Sequence, residues 1–226
     1  RSSDLVRVVD NLSKHVRTPP TEAEFVQVDL TDSGATREAF DGFEYCVSLA
    51  AKVGGIGYFH KYPAAILSEN NKMYSNTFEN AVRCRFRQMV YVSSSMVFEA
   101  TQRFPSSEDD LAVIPPPMSS YGFSKLVGEW YCKSFWEEFR LPYTILRPFN
   151  AFGINEAPEA EPGMAHVIPD LVKKLLDGQN PLEILGDGNQ TRCFTHVRDI
   201  AEAIPLVLTN ERALNEDFNL GSDREI

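Results

Sequence analysis

Four cysteines, no long apolar run and a shortage of positive charge are the first features of this 226-residue sequence. Cys46, Cys84, Cys132 and Cys193 are scattered, without the paired spacing of a metal site, and read as reduced thiols of a cytoplasmic protein. No stretch approaches the ~20 consecutive apolar residues of a membrane-spanning helix, so no membrane partner is expected. Lys and Arg together number 22 against 32 Asp and Glu, a net charge of −10. That balance argues against a nucleic-acid partner, because neutralising phosphates needs a basic face. A small phosphate-bearing ligand stays open, since it needs only a few local donors.

What is present alternates. Strand-like apolar runs cover 6–9, 25–29, 45–50, 90–92 and 143–147, and most are separated by stretches with helical periodicity, clearest at 64–85 and 121–139. Strands alternating with helices imply parallel pairing through right-handed crossovers, hence an α/β fold with a doubly wound parallel sheet. After residue 150 the pattern loosens, with Gly and Pro in Glu161-Pro162-Gly163. Beyond it we expect a helix over 167–177, short strands at 182–185 and 192–194, and a helix over 198–208 that Pro205 kinks or closes. The boundary near 150 divides a larger domain from a small C-terminal lobe.

The chain is organised around two short segments. Val90-Tyr91-Val92-Ser93-Ser94-Ser95 is a buried-strand pattern that stops in three hydroxyls. In open α/β sheets, ligands bind at the carboxyl end of such a strand. Tyr121-Gly122-Phe123-Ser124-Lys125 opens an amphipathic helix and puts a Tyr and a Lys on one face, about 6 Å apart. A Lys that close should favour the phenolate and lower the Tyr pKa, while a nearby Ser bonds the same substrate oxygen. These groups suit removal of a proton from an alcohol while a cofactor takes its hydride.

The Ser-Ser-Ser strand end followed by Tyr-x-x-x-Lys resembles the extended short-chain dehydrogenase/reductases, in particular their NAD-dependent epimerase/dehydratase group. The resemblance covers the whole chain. It implies a Rossmann-like NAD-binding domain at 1–150 and part of a nucleotide-sugar-binding lobe at 151–226. It also implies a first strand and glycine-rich turn that Arg1-Ser2-Ser3-Asp4 cannot supply. Phe218-Asn219-Leu220-Gly221 reads as a strand running into a helix, so we expect a chain truncated at both ends.

On this resemblance the catalytic residues are Ser94, Tyr121 and Lys125. Ser94 is chosen over Ser95 by counting back from Phe98, which stands where relatives carry Tyr. Asp10, with Asn11, would accept hydrogen bonds from the adenine ribose and repel a 2′-phosphate, favouring NAD. Asp29 and Leu30 match an adenine-contacting pair, and Lys52 and Asn70 match positions touching cofactor ribose and phosphate. Substrate contacts fall on Ser95, Asn150, His166 and Arg192. Asn150 ends Arg147-Pro148-Phe149-Asn150, and Arg192 would grip a diphosphate through its guanidinium fork.

The implied activity is NAD-dependent epimerisation of a nucleotide-diphosphate sugar at C4. Met96 stands where 4-epimerases carry Thr and where 3,5-epimerases place a Cys acid/base, and Ser95-Met96 where 4,6-dehydratases place an Asp-Glu pair. A 3,5-epimerase/reductase of the GDP-fucose synthase type is the alternative, carried by the loop Ala51-Lys52-Val53-Gly54-Gly55-Ile56; a non-catalytic dinucleotide sensor is another. A homodimer through a four-helix bundle, in the cytoplasm, completes the expectation.

Overall fold

The computed structural model describes residues 5–14, 22–158 and 164–226. Glu161-Pro162-Gly163 and Arg1-Ser2-Ser3-Asp4 lie outside them. β1 (Arg7–Asp10) pairs in parallel with β2 (Glu24–Gln27), and α1 (Ser33–Phe40) follows. A four-stranded parallel sheet has the order β3 (Tyr45–Ser48), β4 (Gln88–Val92), β5 (Tyr143–Pro148) and β8 (Glu216–Leu220). Between its strands run α2 (Ile56–Lys61), α3 (Pro63–Arg83) and α4 (Ser120–Phe139). In the lobe, β6 (Ala151–Phe152) pairs with β7 (Thr195–His196), beside α5 (Val167–Leu176) and α6 (Val197–Leu208).

Alternation along β4 shows why helices cover both faces. Met89 and Tyr91 point into a core shared with Tyr74 and Phe78 of α3 and Cys132 of α4. Gln88 points the other way and donates to the carbonyl of Val207 in α6 at 3.3 Å. Every residue of β4 is buried, as a strand sandwiched between helices requires. Each buried Phe or Tyr of this cluster contributes roughly 1.5–3 kcal/mol of transfer free energy. Among the described residues no helix is long and apolar enough to cross a membrane.

Several boundaries differ from the sequence expectation. β2 stops at Gln27 because the Asp29 carboxylate accepts from the Thr31 amide at 2.9 Å and turns the chain. β3 ends at Ser48, two residues before the expected Ala50. The glycine loop after it carries α2 from Ile56 onward. Neither 182–185 nor 192–194 forms a strand. Gly186 and Gly188 adopt positive φ, and Gln190 reaches back to the Leu185 carbonyl at 3.1 Å, so this stretch coils on itself. Pairing resumes only at Thr195, and Pro205 falls in the closing turn of α6.

Candidate active site

β4 ends where α4 begins its first turns, and the contacts there are close. A Cβ on Gly122 would lie 2.6 Å from the Met96 carbonyl, and one on Gly128 would lie 2.1 Å from the Tyr91 hydroxyl. Only glycine lets α4 approach this strand end at those two levels. The Ser119 hydroxyl caps the helix by accepting from the Gly122 amide at 3.1 Å. The result sets Tyr121 against Ser94, with Lys125 one turn on at the Val92 carbonyl; the Ser94 hydroxyl also accepts from the Met96 amide as the Ser95–Phe98 3₁₀ turn opens. Ser95, the first residue of that turn, is half-buried.

Tyr121 is 8% exposed and its ring stacks on Phe59 of α2, centroids 4.6 Å apart. Burial pushes its phenol up to about 12, and a hydrogen bond with Ser94 pulls the other way. This corrects the expectation of a lowered Tyr pKa. The cause is burial of the phenol; the Lys125 ammonium, for its part, donates to the Val92 carbonyl at 2.8 Å, and desolvation brings Lys125 itself down to about 7. The ammonium also lies over the rings of Tyr91 and Tyr74, at 5.3 and 5.9 Å.

Beneath these groups lies a charge network. The Ser93 hydroxyl donates to Glu129 at 2.6 Å, and Arg147 grips both Glu129 oxygens at 2.8 Å. Arg147 also pairs with Asp217. Glu129 and Arg147 are 1% and 0% exposed. Neither was a sequence candidate, although Glu129 continues the i, i+4 spacing of Tyr121 and Lys125, and Arg147 interrupts an apolar strand. Phe59 left no pattern in the sequence, since its contact depends on how α2 folds over the site.

The other predicted residues fall into groups. At the carboxyl end of β1, Asp10 accepts from the Leu12 amide at 2.6 Å and so caps the following turn. Asn11 donates to Asp29 at 3.2 Å, and bonds from Thr31 lead the causes that hold the Asp29 carboxyl below its usual range. The Leu30 carbonyl accepts from Asn76 at 2.8 Å.

A second group surrounds Lys52, whose ammonium is held by Glu69 at 2.7 Å, the bond that raises its pKa. The Asn70 amide is wholly buried and used internally: it accepts from the Lys52 amide at 2.6 Å and donates to Ser124 at 3.0 Å. Asn70 thereby staples the glycine loop to α4, one residue before Lys125.

The lobe holds the rest. Asn150, at φ +39°, donates to the Cys193 carbonyl at 3.2 Å, which brings it next to Arg192. Arg192 is exposed, and its guanidinium bonds the Thr191 carbonyl at 2.7 Å. His166 stands apart, paired with Glu156 in a cavity of about 530 Å³ that Phe152, His196 and Arg198 also line.

Comparison with known proteins gives one consistent picture. The model of the NAD dependent epimerase/dehydratase family matches residues 1–221. The GDP-L-fucose synthase of Escherichia coli strain K12 is 28% identical over 185 residues, 78% of this chain and 57% of that protein. The chain thus spans less than two-thirds of that relative. The solved UDP-glucose 4-epimerase of Thermotoga maritima, with UDP-glucose, superimposes at TM-score 0.87 and 28% identity, over 100% of this chain and 71% of that one. The UDP-glucuronic acid 4-epimerase of Bacillus cereus, solved with UDP-glucuronic acid and NAD, gives 0.81 and 25%, over 98% and 71%.

Proposed function

The chain belongs to the NAD dependent epimerase/dehydratase family, and from that premise we propose that it takes part in epimerising a nucleotide-diphosphate sugar at C4. The observation that carries this reading is the meeting of Ser94, Tyr121 and Lys125 at the end of β4. The 4-epimerases of Thermotoga maritima and Bacillus cereus support C4 as the position.

The residues present fit NAD. Asp10 and Asp29, both exposed, put two carboxylates at the end of the first strand pair, where they accept from ribose hydroxyls and oppose a 2′-phosphate. Lys125 stands ready beside Tyr121 for the nicotinamide ribose. When bound, NAD supplies a hydride acceptor and later the donor that returns the hydride.

The chain's own groups manage the oxygen. In its phenolate form Tyr121 takes the proton of the sugar hydroxyl, and as the phenol it gives that proton back, while Ser94 bonds the same oxygen. The Lys125 ammonium favours that phenolate form. Phe59, stacked on the Tyr121 ring, keeps water from that face. Asn150 and Arg192 hold the diphosphate, with Ser95 and His166 as further substrate contacts. Lys52 and Asn70 shape the cofactor side through their hold on the glycine loop.

A 3,5-epimerase/reductase is the second reading, favoured by the Escherichia coli relative and opposed by Met96, which cannot transfer protons. We also propose a homodimer through α3 and α4, because Phe123 and Trp130 of α4 are 41% and 62% exposed. Mass spectrometry of nucleotides that copurify with the protein tests the ligand reading. NAD and a nucleotide-diphosphate hexose are expected; NADP in place of NAD would overturn it.

A further inference from the structure

Glu129 has no part in the scheme above, yet it is the acid one helical turn beyond Lys125 on the same face of α4. Lys125 and Glu129 are 3% and 1% exposed, a depth at which charges are rarely left unopposed. Consecutive residues of β4 serve the two. The Val92 carbonyl accepts from Lys125 at 2.8 Å, and the Ser93 hydroxyl donates to Glu129 at 2.6 Å. Arg147 locks the carboxylate with two bonds at 2.8 Å and is itself paired with Asp217.

The charges sum in a telling way. Glu129, Arg147 and Asp217 together carry one net negative charge, so the cluster is neutral only when Lys125 is protonated. The groups facing Lys125 are Tyr74 of α3, Tyr91 of β4 and Glu129 of its own helix, with Tyr121 one turn before it on α4. Those facing Glu129 are Ser93, Tyr91, Cys132, Tyr143 and Arg147, with Asp217 behind. All the phenols and thiols named are neutral near pH 7, and their pKa values, where resolved, are raised by burial. Among the described residues Glu129 is therefore the one carboxylate in reach that opposes the desolvation of Lys125.

We propose that Glu129, clamped by Ser93 and Arg147, is a positioning residue that favours the charged form of Lys125, one turn from Tyr121. It touches neither sugar nor cofactor; it acts through Lys125. The inference rests on the role given to Lys125 above, and extends it to a buried relay from Asp217 through Arg147 and Glu129.

The test reads Lys125 directly, on the full chain without nucleotide. Protein labelled with ¹³C-lysine is titrated by NMR, and K125M identifies the Lys125 signal. E129Q is expected to lower the Lys125 midpoint by about one pH unit or more, since an opposing charge nearby shifts a pKa by that order. E129D, which keeps the charge, should restore most of it. A loss of packing alone would not be rescued by charge in this way. Should E129Q fail to fold, D217N leaves Glu129 and Arg147 paired and alters only the outer, part-exposed acid. It should move the midpoint in the same direction by less. An unchanged midpoint in E129Q, or in D217N where E129Q does not fold, overturns the proposal. Because no sugar or NAD enters the measurement, that result leaves the proposed reaction standing.

Discussion

In the proposed reaction two side chains carry the chemistry, and both are shifted by burial. Burial holds Tyr121 as the neutral phenol, so in the proposed reaction only its phenolate form, favoured by the Lys125 charge, takes the proton of a bound hydroxyl. Tyr121→Phe should reduce turnover by about 10²–10⁴-fold while leaving nucleotide-sugar affinity nearly unchanged, because a general acid–base group contributes mainly to the transition state. Steady-state kinetics beside calorimetric binding checks both halves, and near-normal turnover would contradict the role. Lys125 has a folded pKa of about 7 against 10.5 for an ordinary lysine. Below pH 7 both folded and unfolded chains hold the proton, so the fold bears the whole cost of the buried ammonium. Between those values the unfolded chain holds more protons, and stability rises with pH. The clean window is pH 7 to 9, because above it the Cys46 thiol, raised by burial to about 12, acts with the opposite sign. Urea unfolding should show wild type gaining on K125M from pH 7 to 9; a constant difference would contradict the burial of charge. The residues themselves were legible because Ser-Ser-Ser at a strand end and Tyr-x-x-x-Lys are local patterns. Their electrostatics were not, since the direction of the Lys125 ammonium depends on the Val92 carbonyl, which only the folded strand presents.

At the scale of elements, α4 decides the geometry. Its first turns meet β4 through two glycines, and the Tyr91 hydroxyl passes over Gly128 to bond the Lys125 carbonyl at 3.2 Å. A methyl group at residue 128 would sit 2.1 Å from that hydroxyl, so Tyr91 or the helix must move. Gly128→Ala should therefore cost about 1–3 kcal/mol, the usual range for overpacking, although Ala is the better helix former. A thermal melt showing equal or greater stability would mean that the strand end tolerates a wider gap. Helices were read well from sequence because α3 and α4 run for 21 and 20 residues, enough turns for periodicity to show. The lobe strands were misread because β6 and β7 are two residues each, fixed by pairing with one another and not by any local pattern.

Across the whole molecule, the parallel sheets, the covering helices and the meeting of β4 with α4 were expected from the alternation of strands and helices, and the fold bears them out. The Ser93–Glu129–Arg147–Asp217 network was not foreseen, because it joins β4, α4, β5 and β8, four segments distant in sequence. The central claim is epimerisation at C4 by removal and return of one hydride, and the most direct test follows that hydrogen. The protein is incubated with NAD and UDP- and GDP-hexoses deuterated at C4, and the products are read by NMR. The account predicts a hexose inverted at C4 that keeps its deuterium there, with no solvent hydrogen entering C3 or C5. Solvent hydrogen at C3 and C5, or a 6-deoxy product, would contradict it.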